Sequence, residues 1–140
     1  MQGPYRGSCL CAAIRFEVDQ FAAQTGHCHC SMCRKFHGAA YATIAEAEAR
    51  HFRWLCGEDS LKAYTAGNGT TRRFCATCGS SLTFASPQAD PNLVEIALAC
   101  FDDEVSVKPD AHIFVASAAS WARPADGLPQ YAAGRDSKLL

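Results

Sequence analysis

Seven cysteines in three tight clusters constrain this chain more than any other feature. Cys9 and Cys11 lie two residues apart, Cys28, Cys30 and Cys33 fall within six residues, and Cys75 and Cys78 form the third group. Cys56 and Cys100 stand alone, and the total of nine is odd, so complete pairing into disulfides is impossible. The N-terminal stretch MQGPYRGS has no apolar core of signal-peptide length. The expected compartment is therefore the cytoplasm, where disulfides are disfavoured. Closely spaced cysteines in that setting read as metal ligands.

Zinc bound by thiolates is tetrahedral, so a closed site needs four sulfurs within a few ångströms. Two short-spaced pairs, Cys9 with Cys11 and Cys75 with Cys78, suffice for one such site. Its binding energy would be folding energy. Cys28, Cys30 and Cys33 then remain as three ligands with one open position, the pattern of a catalytic zinc. An exogenous thiol entering that position would be held as thiolate near neutral pH. Spacing alone leaves the partition open: the middle cluster could share a closed site with Cys75 and Cys78 and leave Cys9 and Cys11 as a spare pair. A redox pair at Cys30 and Cys33 or at Cys75 and Cys78 is a weaker reading, because it does not explain three clusters together. Iron–sulfur ligation is weaker still. Cys56 and Cys100, in or beside apolar strands, read as small buried hydrophobes.

The rest of the chain is expected to supply short antiparallel strands. Ile14, Phe16 and Val18 alternate with Arg15 and Glu17 in a half-buried strand over 12–18, with Cys9 and Cys11 on one face if that strand begins early. Residues 31–36 suit a short helical turn closed by Gly38. Residues 41–44 look extended, and AEAEAR at 45–50 reads as a turn. Strands are expected at 52–55, 82–85, 93–99 and 113–115. Residues 60–66 and 70–74 flank GNG as a hairpin. The second hairpin strand runs into CATCG, where Gly79 suits a tight metal knuckle. At 140 residues the expectation is one zinc-binding β domain over 1–123 and an irregular tail over 124–140. The formal net charge of -1 and the pI of about 6.5 offer no pull toward nucleic acid or anionic membrane. No apolar run approaches the roughly 20 residues of a membrane span.

Other residues carry weaker signals. His29 lies between two ligand positions and is expected to point away from their metal. His27, His37 and His112 read first as hydrogen-bonded structural histidines and second as ligands or proton carriers. Arg34, Lys35, Arg72 and Arg73 flank the knuckles and read as solvated charge, with carboxylate recognition as the sharper alternative. Trp121 is core or a lid. No nucleophile elbow, phosphate loop or carboxylate pair is evident.

GSCLCAAIRFEV at 7–18, GHCHCSMCRKFHGA at 26–39, FRWLCGEDSLKAY at 52–64, RRFCATCGSSL at 72–82, HIFVASAASW at 112–121 and DGLPQY at 126–131 occur in that order. Together they resemble the glutathione-dependent formaldehyde-activating enzyme family, which includes the centromere protein V domain. The resemblance implies a mainly β fold, a zinc-stabilised β-tent of small antiparallel sheets. It implies Cys9, Cys11, Cys75 and Cys78 as structural zinc ligands, and Cys28, Cys30 and Cys33 as ligands of a catalytic zinc. The implied activity is that of a carbon–sulfur lyase condensing glutathione, or a related thiol, with formaldehyde to S-hydroxymethylglutathione. The alternative is a zinc-stabilised binding module without catalysis. Two positions depart from the pattern. Ala12 stands where the family usually has glycine, which would shift the first knuckle. Ala118 and Ala119 replace basic and proline positions, which would favour a thiol other than glutathione.

Overall fold

Tyr5–Ser8 (β1), Arg15–Val18 (β2) and Phe52–Cys56 (β5) form an antiparallel three-stranded sheet in the order β1-β2-β5 of the computed structural model, which describes residues 2–140. The remaining elements in chain order are Thr25–Cys28 (β3), Ser31–His37 (α1), Ala42–Glu48 (β4), Leu61–Thr65 (β6), Thr71–Cys75 (β7), Ser81–Ala85 (β8), Leu93–Ala97 (β9) and His112–Ile113 (β10). Short 3-10 turns occupy Ala49–His51, Glu58–Ser60, Leu98–Cys100 and Val115–Ser117. The fold is mainly β, with two sheets and one short α-helix among the described residues.

Two units divide the chain. The first comprises the N-terminal residues to 23 together with 45–107, and the second comprises 24–44 and 108–140.

In the first unit, alternation drives β2 as the sequence predicts: Phe16 and Val18 are fully buried. Glu17, expected to face water, is also buried. The reason lies in its partners. Arg6 Nε donates to Glu17 Oε2 at 3.0 Å, and Arg53 Nη2 donates to Oε1. The guanidinium of Arg6, then that of Arg53, holds the carboxyl below its ordinary range. Strands β6, β7, β8 and β9 run antiparallel in that order, and the β6–β7 hairpin closes through the GNG turn as expected. Its register sets Leu61 opposite Cys75. Ile14, Phe16, Val18, Ala47, Leu82 and Ile96 form the apolar cluster of this unit, and Cys9 and Cys75 belong to it. Each large side chain so buried contributes about 1.5–3 kcal/mol. One knuckle cysteine of each pair is thus embedded in the core.

AEAEAR departs from expectation. Strand β4 runs through Glu48, with Ala45 and Ala47 fully buried. Alanine and glutamate favour helix intrinsically, but period-two alternation and burial of the small side chains win. Cys56 also departs, being exposed rather than buried.

In the second unit, β10 pairs with β3 in parallel, against the antiparallel expectation, with His112 opposite His27 and Ile113 opposite Cys28. Helix α1 ends at Gly38, whose φ of 59 places it in the left-handed region that a C-cap glycine tolerates. Residues beyond 124 contribute isolated bridges, His112 with Gln130 and Tyr131 with Leu139. Trp121 is 73% exposed, so it is not core.

Candidate metal centres

The cysteine clusters gather into two groups, one in each unit. Cys9, Cys11, Cys75 and Cys78 bring their Sγ atoms within 4.8 Å of one another, and so, separately, do Cys28, Cys30 and Cys33. All nine cysteines are free thiols.

The four-cysteine group is built by two turns. After β1, Cys9 N donates to Ile14 O at 3.1 Å and Ala12 N to Cys9 O at 2.9 Å. Ile14 N then donates to Cys9 Sγ at 3.3 Å. Cys11 therefore sits in a turn, not on a strand face, and is exposed. Ala12 takes a φ of 63, the left-handed conformation for which glycine is the default residue. The second turn leaves β7 at Cys75. Thr77 N and Cys78 N donate to Cys75 Sγ at 3.4 and 3.5 Å, and Gly79 N to Cys75 O at 2.8 Å. Gly79 has a φ of 78, as a tight knuckle demands. Leu10 N reaches Ser80 Oγ at 2.7 Å, which ties the two turns together.

These sulfurs fit a tetrahedral thiophilic ion. Cys9 Sγ lies 3.6 Å from Cys11 Sγ, and Cys11 Sγ lies 3.8 Å from Cys75 Sγ. A tetrahedron with metal–sulfur bonds of about 2.3 Å has edges of about 3.8 Å. The surroundings favour thiolate at Cys75 and Cys78, while Cys11 is pushed up to about 11. Ser80, through its hydroxyl and its amide, brings the Cys78 thiol down to about 5. The amide of Cys78, then that of Thr77, lowers Cys75.

The three-cysteine group straddles the junction of β3 and α1. Cys28 ends the strand, Cys30 is the N-cap of the helix, and Cys33 lies on its first turn. Cys28 and Cys33 are buried, while Cys30 is partly open. The thiols of Cys28 and Cys33 hold Cys30 far below the usual thiol range, assisted by the amides of Cys33 and Met32. Contact with Cys30, then with Cys33, pushes Cys28 up. Cys30 is therefore the sulfur of this group most disposed to carry negative charge. A dication would draw off any thiol protons that remain. Three sulfurs converge here without a fourth cysteine, so the donor set suits zinc with one position left for another ligand.

His27 and His29, which flank Cys28 in sequence, belong to a histidine cluster. His29 points its Nε2 at His112 Nδ1, 2.8 Å away, and its own Nδ1 is buried without a hydrogen-bond partner. His112 Nε2 lies 2.8 Å from Asp126 Oδ2. His27 Nδ1 meets Thr43 Oγ1 at 2.9 Å. Burial, then the charge of His112, lowers both His27 and His29, the latter to about 4. Contact with His112, then the Leu128 amide, lowers Asp126. Tyr41 packs against the rings of His27 and His29. Arg34 is spent on backbone: its guanidinium donates to His29 O at 3.4 Å and Ser117 O at 3.2 Å. Arg72, expected at the surface, is buried. Asp126 escaped the sequence reading, since its only local signal was a turn-forming Asp-Gly pair.

Free thiols gathered as a four and a three on a mainly β frame define a cysteine-knuckle protein suited to two thiophilic metal ions. The chain belongs to the glutathione-dependent formaldehyde-activating enzyme family, whose model matches residues 4–117. It is 29% identical over 122 residues to a Halomonas elongata protein named "Putative glutathione-dependent formaldehyde-activating enzyme", covering 82% of this chain and 77% of that one. It is 24% identical over 123 residues to a Schizosaccharomyces pombe protein named an "Uncharacterized lyase", covering 79% of this chain and 85% of the relative. A crystal structure of a Rhodobacter sphaeroides protein superposes with a TM-score of 0.61 at 27% identity, covering 72% of this chain and 91% of that chain. Among the described residues no helix is long and apolar enough to cross a membrane.

Proposed function

We propose that this chain condenses a small thiol, glutathione or a close relative, with formaldehyde at the Cys28, Cys30 and Cys33 group. The observation that carries this reading is the convergence of three sulfurs, rather than four, at the β3–α1 junction. Cys28, Cys30 and Cys33 would hold a zinc ion there. Cys9, Cys11, Cys75 and Cys78 would hold a second zinc whose role is structural. A zinc with three protein thiolates supplies, when bound, an electrophilic position that lowers the pKa of an added thiol. In the reaction a carbon–sulfur bond forms between the thiol sulfur and the formaldehyde carbon. The carbonyl π bond opens and its oxygen takes the proton that the thiol gives up, yielding S-hydroxymethylglutathione when the thiol is glutathione.

The chain's own residues contribute position and charge. The Cys33 amide, donating to Cys30 Sγ at 3.3 Å, fixes the partly open sulfur at the head of the helix. Cys28 is held on a strand by the pairing of β3 with β10. Ala118 and Ala119 bring no cation to the segment after β10, which supports a thiol less dependent on its carboxylates than glutathione.

The test is zinc per chain by elemental analysis, with coordination followed by X-ray absorption during titration with glutathione and, in parallel, with an uncharged thiol. The expected result is two zincs, one of which gains a sulfur as thiol is added. Two zincs indifferent to every thiol would overturn the reading and favour a binding module without catalysis.

A further inference from the structure

We propose that His27, His112 and Asp126 form a third metal site, for a divalent transition-metal ion held by two imidazoles and one carboxylate. No cysteine takes part, and the site stands apart from the thiol chemistry proposed above.

Strand pairing creates the site. Parallel strands in register place facing residues on the same side of the sheet, and the register of β10 against β3 sets His112 beside His27. Their rings stack with centroids 4.7 Å apart and an interplanar angle of 29°. One ligand atom from each, with a carboxylate oxygen of Asp126, lies within 4.8 Å of the other two. Asp126 is preset for this: its Oδ1 accepts from Leu128 N at 3.1 Å, which turns Oδ2 toward His112.

The outer contacts are those of ligating histidines. A metal-binding imidazole usually donates its other N–H to a neighbouring acceptor, which fixes tautomer and orientation. His27 Nδ1 is 2.9 Å from the Thr43 hydroxyl, and His112 Nδ1 is 2.8 Å from His29 Nε2. Both histidines therefore have Nδ1 engaged, which leaves Nε2 as the metal-facing atom. Before metal binds, His112 Nε2–H donates to Asp126. With metal bound, the His112 proton sits on Nδ1 and donates to His29 Nε2, and the His29 proton moves to its own Nδ1. The number of protons is unchanged.

The donor set selects the ion. Two nitrogens and one carboxylate suit borderline ions such as Fe2+, Co2+, Ni2+ and Zn2+ over Mg2+ and Ca2+, which prefer all-oxygen sites. His112 Nε2 and Asp126 Oδ2 are 2.8 Å apart. Two donors each about 2.1 Å from a metal have that separation at an angle somewhat under 90°, whereas a tetrahedral angle would spread them to about 3.4 Å. That 2.8 Å is the metal-free hydrogen bond; the donor set itself, two histidines and one carboxylate, suits a six-coordinate ion with three open positions. Room for further ligands exists: a cavity of about 490 Å³, lined by Tyr41, His112, Trp121, Arg123 and Asp126 among others, opens on the site.

The experiment adds Co2+ to the zinc-loaded chain, with binding followed by calorimetry and visible absorption. Cobalt entering a cysteine group gives an intense thiolate-to-metal charge-transfer band. Cobalt at the proposed site gives only the weak bands of six-coordinate nitrogen–oxygen ligation, so occupancy of the cysteine groups does not confuse the readout. The expected result is one Co2+ per chain without the thiolate band. Its affinity should fall at least tenfold in Asp126→Asn, an exposed position whose replacement keeps the turn, and tenfold to a hundredfold in Thr43→Val. Failure to bind a thiolate-free Co2+, or binding unchanged by Asp126→Asn, would overturn the site and leave Asp126, His112 and His29 as a hydrogen-bonded chain only.

Discussion

The backbone amide of Cys33 donates to Sγ of Cys30 at 3.3 Å, so helix α1 begins on a sulfur where a serine or aspartate usually stands. Capping and the proposed metal holding would thus be joined in one atom, and substitution can separate them. Cys30→Ser keeps an acceptor for the Cys33 amide but removes a thiolate. Cys30→Ala removes both. Both variants should lose the zinc of the three-cysteine group and most condensing activity, at least tenfold, while keeping the other zinc. Cys30→Ala should in addition lose about 1 kcal/mol of stability relative to Cys30→Ser. Elemental analysis and urea unfolding of the two variants measure this. Equal unfolding midpoints would show that the sulfur is no cap.

Removal of metal should separate the two groups. Cys9 and Cys75 are part of the first unit's apolar core, whereas Cys28, Cys30 and Cys33 form the group with one position left over. A chelator added in steps should first remove the zinc of the three-cysteine group and abolish activity with little change in circular dichroism. The second zinc should leave only with cooperative unfolding, because structural binding energy is folding energy. Loss of both ions together, or unfolding at the first step, would contradict this order.

What was legible in the sequence, and what was not, follows from the range of the interactions. Strands β2, β5 and β8, the β6–β7 hairpin and helix α1 were marked by short-range signals: alternation, a GNG turn and a closing Gly38. Strand β4 over 45–48 was missed because Ala and Glu carry helical propensity, and only burial of Ala45 and Ala47 overrides it. The parallel pairing of β3 with β10 joins residues about 85 positions apart, and nothing local in either segment announces it. The spacing of the cysteines marked candidate metal ligands, but it left the grouping open and allowed Cys11 a strand position that the turn through Ala12 denies. The link from His29 through His112 to Asp126 was beyond reach for the same reason as the parallel pairing, since it depends on contacts that only the fold creates.

Ala12 should be improvable. Its φ of 63 strains an L-residue, and the family usually has glycine at this position. Relief of that strain, less the added freedom of glycine in the unfolded chain, should stabilise Ala12→Gly by about 0.5–1 kcal/mol. The turn holding Cys9 and Cys11 should also give up zinc more slowly. Urea midpoints and zinc-release rates against a chelator measure both effects. A destabilised variant would mean that the turn relaxes without strain in solution.

Glu95 gives the fold a pH dependence of its own. One carboxylate oxygen is buried without a hydrogen-bond partner, and burial, then the nearby Glu46 charge, raises the group from 4.5 to about 7. Folded Glu95 therefore holds a proton that the unfolded chain releases between those values. The stability it contributes is fully present below its ordinary value and is lost as pH rises through about 7. Glu17 and Asp19 are shifted downward, so their contributions are complete above the ordinary carboxylate range and do not overlap this window. His27 and His29 are lowered from 6.5 and add stability as pH rises toward that value. The Glu95 contribution is therefore read as the difference between wild type and Glu95→Gln in urea unfolding of the zinc-loaded chain from pH 5.5 to 8, with wild type falling relative to the variant. Glu95→Gln should remove that falling component and gain up to roughly 3 kcal/mol over wild type at pH 8. If the curves of wild type and Glu95→Gln run parallel across this range, Glu95 is ionised in the folded chain and the pH dependence belongs to other groups.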